Sequence, residues 1–176
     1  MEQSLFLTGF MGAGKSSVGK LLARRLGVKF LDLDAEIERR ERRSIKEIFE
    51  TSGEEGFRKA EAEALGQVLG GPPSVVALGG GTLSRQSNRK ALNGKLVVNL
   101  SASFEELYRR IRDTGDTRPL VRDGEEALRA RFEERKPTYD GVGIQVETGG
   151  KTTEEVAAEV LSKILGPCPK EKRCER

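Results

Sequence analysis

Gly9-Phe10-Met11-Gly12-Ala13-Gly14-Lys15-Ser16 fits the pattern G-x-x-x-x-G-K-[ST] in full, between a short apolar run, Ser4 to Thr8, and a segment with helical spacing. A strand, a glycine-rich turn and a helix in that order make a phosphate-binding loop. The glycines let the backbone curl so that several N–H groups point at phosphate oxygens, with the positive end of the helix behind them. Lys15 brings a point charge for the β- and γ-phosphates of a nucleoside triphosphate, and Ser16 a hydroxyl for Mg²⁺.

The rest of the chain repeats the same alternation. Val18, Leu21, Leu22 and Leu26 recur at helical spacing, and Gly27 follows as a stop. Lys29 to Leu33 reads as a strand running into Asp32-Leu33-Asp34. Two S-x-x-E boxes, Ser44 with Glu47 and Ser52 with Glu55, predict two helix starts. Their apolar positions are Ile45, Ile48 and Phe49, then Phe57, Ala60, Ala64 and Val68. Val75 to Leu78 is a buried-type strand entering Gly79-Gly80-Gly81, and after another helix Lys95 to Leu100 is a further strand. Ser103 with Glu106 caps the next helix. Asp113 to Gly124, polar and containing Pro119, is expected to be a mobile loop. A helix is expected to stop near Lys136, because Pro137 follows; a strand, Gly143 to Glu147, and a helix, Thr153 to Leu165, complete the pattern. Five strands alternating with helices predict an α/β fold with a parallel sheet covered by helices on both faces. One domain is expected over residues 1–165, with a disordered, charged tail over 166–176.

Charge and composition narrow the partners. Lys and Arg number 31 against 28 Asp and Glu, largely interleaved as in Glu36 to Arg43, and aromatics make up 5% of the chain. That is a solvated surface without stacking platforms, so no nucleic-acid partner is expected. No apolar run approaches the roughly 20 residues of a membrane span, and the first strand begins too early for a signal peptide. Cys168 and Cys174 both lie in the tail, too few for a disulfide framework or a zinc site. A cytoplasmic protein, monomeric by default, is the expectation.

Binding a triphosphate is not yet a reaction. The strand ending at Leu78 offers no acid for Mg²⁺, so Asp32 and Asp34 are the substitutes, on one side of a strand end by period-two alternation. One carboxylate would organise the metal and its waters while the other takes a proton from an attacking hydroxyl; with no histidine in the chain, Asp34 leads as general base. The plainer alternative is that Asp34 merely caps the next helix. Three consecutive glycines at Gly79 to Gly81 would admit a ligand to bare backbone. Arg58 has Glu61 three residues on to orient it, Arg135 precedes Lys136-Pro137, and Arg118-Pro119-Leu120 has Arg112 and Arg122 nearby.

Together these segments resemble the shikimate kinase family over residues 4–165. The resemblance is carried by Gly9 to Ser16, Asp32-x-Asp34, Ser44-Ile45-x-Glu47-Ile48-Phe49 and Gly53-Glu54-x-x-Phe57-Arg58-x-x-Glu61, then by Gly79-Gly80-Gly81, Arg118-Pro119-Leu120 and Arg135-x-Pro137-x-Tyr139. Thr138 stands where the family often has Leu, and the adenine-stacking arginine is either Arg110 or Arg112. The resemblance implies a three-layer P-loop kinase fold, with a substrate-binding segment over about 33–62 and a lid over about 112–124. It implies transfer of the γ-phosphoryl group of ATP to the 3-hydroxyl of shikimate, with Asp34 gripping the hydroxyls and aiding deprotonation. Arg58 and Arg135 would clamp the carboxylate, with backbone from Gly80 and Gly81. Gly12, Ala13, Gly14, Lys15, Ser16 and Ser17 would hold ATP, Ser16 and Asp32 Mg²⁺, and Lys15 and Arg118 the phosphate charge. Two other classes stay open: another small-molecule P-loop kinase, for gluconate or a nucleoside monophosphate, and a nucleotide-dependent switch without transfer activity. The single expected carboxylate clamp argues against a nucleotide acceptor, and intact Lys15, Asp32, Asp34 and Arg118 argue against the switch.

Overall fold

Strands β1 (Leu5–Thr8) and β3 (Ser74–Ala77) are buried at every residue, which requires cover on both faces of the sheet. The computed structural model describes residues 3–113 and 124–166. With β2 (Lys29–Asp32), β4 (Leu96–Ser101) and β5 (Ile144–Glu147) these strands form one sheet in the order β2-β3-β1-β4-β5, parallel throughout. The helices among the described residues are α1 (Lys15–Leu26), α2 (Leu33–Glu41), α3 (Ile45–Gly70), α4 (Gln86–Ala91), α5 (Phe104–Asp113), α6 (Glu125–Asp140) and α7 (Thr153–Leu165). Helix α1 lies between α7 and strands β2 and β3, and α2 packs on α3. The strand order changes direction at β1. The crevice of such a sheet opens at the carboxyl ends of the strands flanking that switch, where the loop Gly9 to Ser16 leaves β1.

Local chemistry places most boundaries. Gly27 ends α1 in the left-handed region at φ 67°, with its N–H on the Arg24 and Ala23 carbonyls. Ser44 and Glu47 form a reciprocal capping box on α3, and the Ser44 hydroxyl and amide hold the Glu47 carboxyl below its usual range. Ser103 Oγ accepts from the Glu106 amide at 3.3 Å.

Four expectations change. The second strand stops at Asp32, and Asp34 belongs to the first turn of α2. Leu33 and Ile37 are both buried, so the four-residue period of a helix overrides alternation from Leu33 onward. The capping acid is therefore Asp32, whose Oδ1 accepts from the Asp34 amide at 3.1 Å. The second helix start, expected at the Ser52–Glu55 box, falls one residue later: two helical stretches, together Ile45–Gly70, meet at Gly53 (φ 66°, ψ −172°), a left-handed φ that glycine tolerates. Phe49 is not a core residue but 40% exposed. Helix α6 continues through Pro137 to Asp140. In the last turn a proline forfeits one backbone hydrogen bond, and burial of Tyr139 holds that turn in place. The expected loop with Arg118, Pro119, Leu120 and Arg122, and the tail with Cys168 and Cys174, fall at residues 114–123 and 167–176, outside the described residues. Among the described residues no helix is long and apolar enough to cross a membrane.

Candidate active site

The phosphate half is continuous in sequence. Gly12 and Gly14 adopt φ 80° and 88°, which bend the loop into the start of α1. Gly14 occupies the N-cap and brings no side-chain cap, so the amides of the first turn are not taken up by a capping side chain of that residue. Lys15 Nζ donates to the Gly9 and Phe10 carbonyls at 2.7 and 3.1 Å, which holds the ammonium over the loop. Ala13 is buried, and Ser16 and Ser17 stand exposed in the first turn. A β-carbon at Gly12 would meet the Leu107 carbonyl at 2.8 Å, so the loop is seated directly on α5. Arg110 reinforces that wall: its guanidinium donates to Thr148 Oγ1 at 3.0 Å and the Thr148 carbonyl at 2.7 Å, and reaches the Gly12 carbonyl at 3.5 Å. Arg112 instead lies 5.8 Å from the Tyr108 ring centroid. Of the two arginines left open by the sequence, Arg110 is the one at the loop.

Ser16 Oγ donates to Asp32 Oδ2 at 2.9 Å. These are hard oxygen donors, and no group of three or more His, Cys, Asp or Glu that could hold a metal occurs among the described residues. Mg²⁺ keeps several waters and takes phosphate oxygens, so one hydroxyl and one carboxylate suit it, whereas they would make a poor cage for Ca²⁺ or Zn²⁺.

The other half of the candidate site is drawn from four distant stretches. Gly79 is the point of closest approach: a β-carbon there would lie 2.5 Å from Asp34 Oδ1, 3.2 Å from Thr82 Oγ1 and 3.3 Å from Glu61 Oε1. At Gly81 it would lie 2.7 and 2.8 Å from the two terminal nitrogens of Arg58. The glycines thus leave room for a carboxylate and a guanidinium as well as baring backbone. Glu61, only 1% exposed, binds two partners. Its Oε1 accepts from Thr82 Oγ1 at 2.8 Å, and its Oε2 accepts from Arg58 at 3.0 Å. Such a pair fixes the guanidinium plane, with Arg58 itself only 12% exposed. The Thr82 carbonyl is in turn held by the buried Asn88 amide at 3.0 Å.

Arg135 arrives from α6 and donates to the Gly80 carbonyl at 3.0 Å, and the Tyr139 hydroxyl donates to the same oxygen. Gly80 therefore presents its carbonyl to the protein. Burial pushes the Tyr139 hydroxyl above the usual phenol range, against the pull of nearby Arg135, so it stays a donor. Phe49 stacks on Phe57 at 4.7 Å, and the Arg58 guanidinium carbon lies 5.2 Å from the Phe57 centroid. An apolar ledge thus borders the cationic corner.

The structure brings Asp34, Arg58, Gly80, Gly81 and Arg135 together and sets Lys15, Ser16 and Asp32 beside the loop. Arg118 lies outside the described residues. No motif of the sequence marks Thr82 or Asn88, and Phe49 stands at an apolar helical position. The four-residue spacing of Arg135 and Tyr139, one helix face, was the available signal for Tyr139; for Asn88 there was none.

The family model described as shikimate kinase matches residues 11–165. A shikimate kinase of Geobacter sulfurreducens is 45% identical over 165 residues, which cover 92% of this chain and 91% of that protein. Among solved structures, shikimate kinase from Acinetobacter baumannii in complex with shikimate superposes with a TM-score of 0.85 at 38% identity, covering 93% of each chain. A gluconokinase from Sinorhizobium meliloti, at 22% identity and a TM-score of 0.66 over 93% of this chain and 92% of that one, shares the fold alone. The five-stranded parallel sheet, the phosphate loop at its switch point and the match along almost the whole chain agree: this chain belongs to the shikimate kinase family.

Proposed function

We propose that this site transfers the γ-phosphoryl group of ATP to the 3-hydroxyl of shikimate. One observation carries the reading: Asp32 and Asp34 stand two residues apart at the head of α2, one bonded to Ser16 of the phosphate loop, the other against Gly79 beside Arg58 and Arg135. A single turn of helix thus joins the phosphate half to a pocket for a small anionic alcohol. Arg58 and Arg135 pair with the carboxylate, forked cations suiting a planar anion. Asp34 accepts hydrogen bonds from the ring hydroxyls and takes the proton as the 3-oxygen attacks the γ-phosphorus. The new O–P bond forms as the bond to the β-phosphate oxygen breaks, and ADP leaves. Lys15 and the loop amides of Gly12 to Ser17 stabilise the charge that moves onto the β–γ bridging oxygen.

Bound at Ser16 and Asp32, the aspartate directly or through water, Mg²⁺ would neutralise charge across the β- and γ-phosphates. Arg118 is given a phosphate-neutralising role on its Arg-Pro-Leu motif, and Arg110 the adenine side on its contact with Gly12. We read the protein as a monomer of the cytoplasm, where its co-substrate ATP is made, with one domain over 1–165.

The test follows ADP release with shikimate, quinate, gluconate and AMP offered as acceptors. Turnover with shikimate well above the others is expected; its absence overturns the reading. Chelation of Mg²⁺ should abolish turnover, and added Mg²⁺ should restore it.

A further inference from the structure

Strand β4 reads Val97-Val98-Asn99-Leu100, an apolar strand interrupted by one amide that is 1% exposed. Its nitrogen donates to Gln145 Oε1 at 2.7 Å, while its oxygen has no partner among the described residues. A half-satisfied buried amide costs stability, so its presence directs attention to what its nitrogen holds. Asn99 and Gln145 face each other in the β4–β5 register, which makes their contact a fixed property of the sheet. With Oε1 so engaged, Gln145 must turn Nε2 the other way. That nitrogen lies 3.1, 3.3 and 2.8 Å from the carbonyls of Tyr139, Asp140 and Val142, the end of α6 and the turn after it. Helix ends leave such carbonyls without intrahelical partners; the Tyr139 carbonyl accepts from the Val142 amide at 3.3 Å, and Gln145 of the edge strand adds a side-chain donor to the same turn. The same last turn carries Tyr139, four residues after Arg135, and both side chains bond the Gly80 carbonyl.

We infer that Asn99 and Gln145 are positioning residues for the acceptor clamp: they tie the end of α6 to the sheet and so set where Arg135 and Tyr139 meet Gly80. The inference rests on reading Arg135 as a ligand of the acceptor carboxylate. Asn99 fixes the direction of the Gln145 amide, Gln145 fixes the helix end, and the helix end fixes the guanidinium.

Gln145→Met keeps the length of the side chain and removes the bond from Asn99 together with those to the three carbonyls. It should raise KM for shikimate roughly fivefold or more while KM for ATP stays within about twofold. Amide exchange at Gly141 and Val142, whose N–H groups bond the Pro137 and Tyr139 carbonyls, should accelerate. Gln145→Lys returns a donor to those carbonyls and should recover most of the loss; Asn99→Leu should shift the shikimate KM in the same direction by less. An unchanged shikimate KM, two KM values rising together, or Met and Lys variants behaving alike would overturn the inference. Failure of the acceptor reading appears instead in the wild-type enzyme, as absent turnover with shikimate. In that case unchanged exchange at Gly141 and Val142 in Gln145→Met would still overturn the anchoring.

Discussion

The two halves of the site are built in opposite ways. The proposed phosphate half is eight consecutive residues, Gly9 to Ser16, and its geometry comes from glycine dihedrals and a helix start. The acceptor half draws Asp34 from α2, Arg58 and Glu61 from α3, three glycines from the end of β3, and Arg135 and Tyr139 from α6. A local motif needs only its own dihedrals, whereas a composite pocket needs every packing relationship among its contributors. Damage to the first should therefore act on chemistry and leave the fold intact. Damage to the second should act on acceptor binding and, where charges are buried, on stability.

The largest effects test that division. Lys15→Met should lower kcat by about a thousandfold or more, since the charge it neutralises develops in the transition state; single-turnover kinetics with a thermal melt would show lost chemistry in an intact fold. Asp34→Asn should reduce kcat by roughly 10²- to 10⁴-fold while ATP binding, followed by calorimetry, persists. Equal losses in ATP affinity would mean that the two halves are not separable.

Arg58→Ala comes next. It removes one arm of the proposed carboxylate clamp and leaves Glu61, which is 1% exposed, without its Arg58 counter-ion. Acceptor affinity should fall by about 2 kcal/mol or more, with a lowered melting temperature as well. Gly81→Ala is milder and more selective. Its β-carbon would collide with the end of the Arg58 side chain, which can move, and Gly81 sits at φ −113°, open to any residue. The shikimate KM should rise with little change in stability. Gly66→Ala, on a part of α3 where a β-carbon meets nothing within 4 Å, is the control; it should stabilise by about 0.5–1 kcal/mol and leave KM alone.

The smallest effect concerns pH. Tyr139 keeps its proton longer folded than unfolded, because burial disfavours the phenolate. Its contribution to stability is full below the unfolded value near 10.0 and is lost as pH rises through the higher folded value. Denaturant midpoints measured from neutral pH upward should fall on the alkaline side, and Tyr139→Phe should flatten that limb.

Legibility followed the same division. The loop Gly9 to Ser16, the box at Ser44 and the stop at Gly27 were readable because each is a contact between near neighbours in sequence. The expected strand, Lys29 to Leu33, ends one residue early and the alternation read on to Asp34 gives way to helix, since two apolar residues, Leu33 and Ile37, decide that stretch by what they bury against. Phe49 looked like core because helical spacing records which face a residue occupies and not whether another element covers that face. Pro137 looked like a stop because a proline's cost is local, while the burial of Tyr139 that holds the last turn is not.

The sequence by itself determined that this chain is an α/β protein with a phosphate-loop motif, and it singled out Asp32, Asp34, Arg58 and Arg135 as candidates for the proposed site. Only the tertiary structure decided what those residues do to one another. It made Asp32 the cap and Asp34 the acid facing Gly79, turned the Gly80 carbonyl toward Arg135 and Tyr139, and assigned Glu61 to hold both Thr82 and Arg58. The reason is that dihedral preference and periodicity act within a few residues, whereas the orientation of a buried charge is fixed by whichever partners the packed fold brings within hydrogen-bond reach.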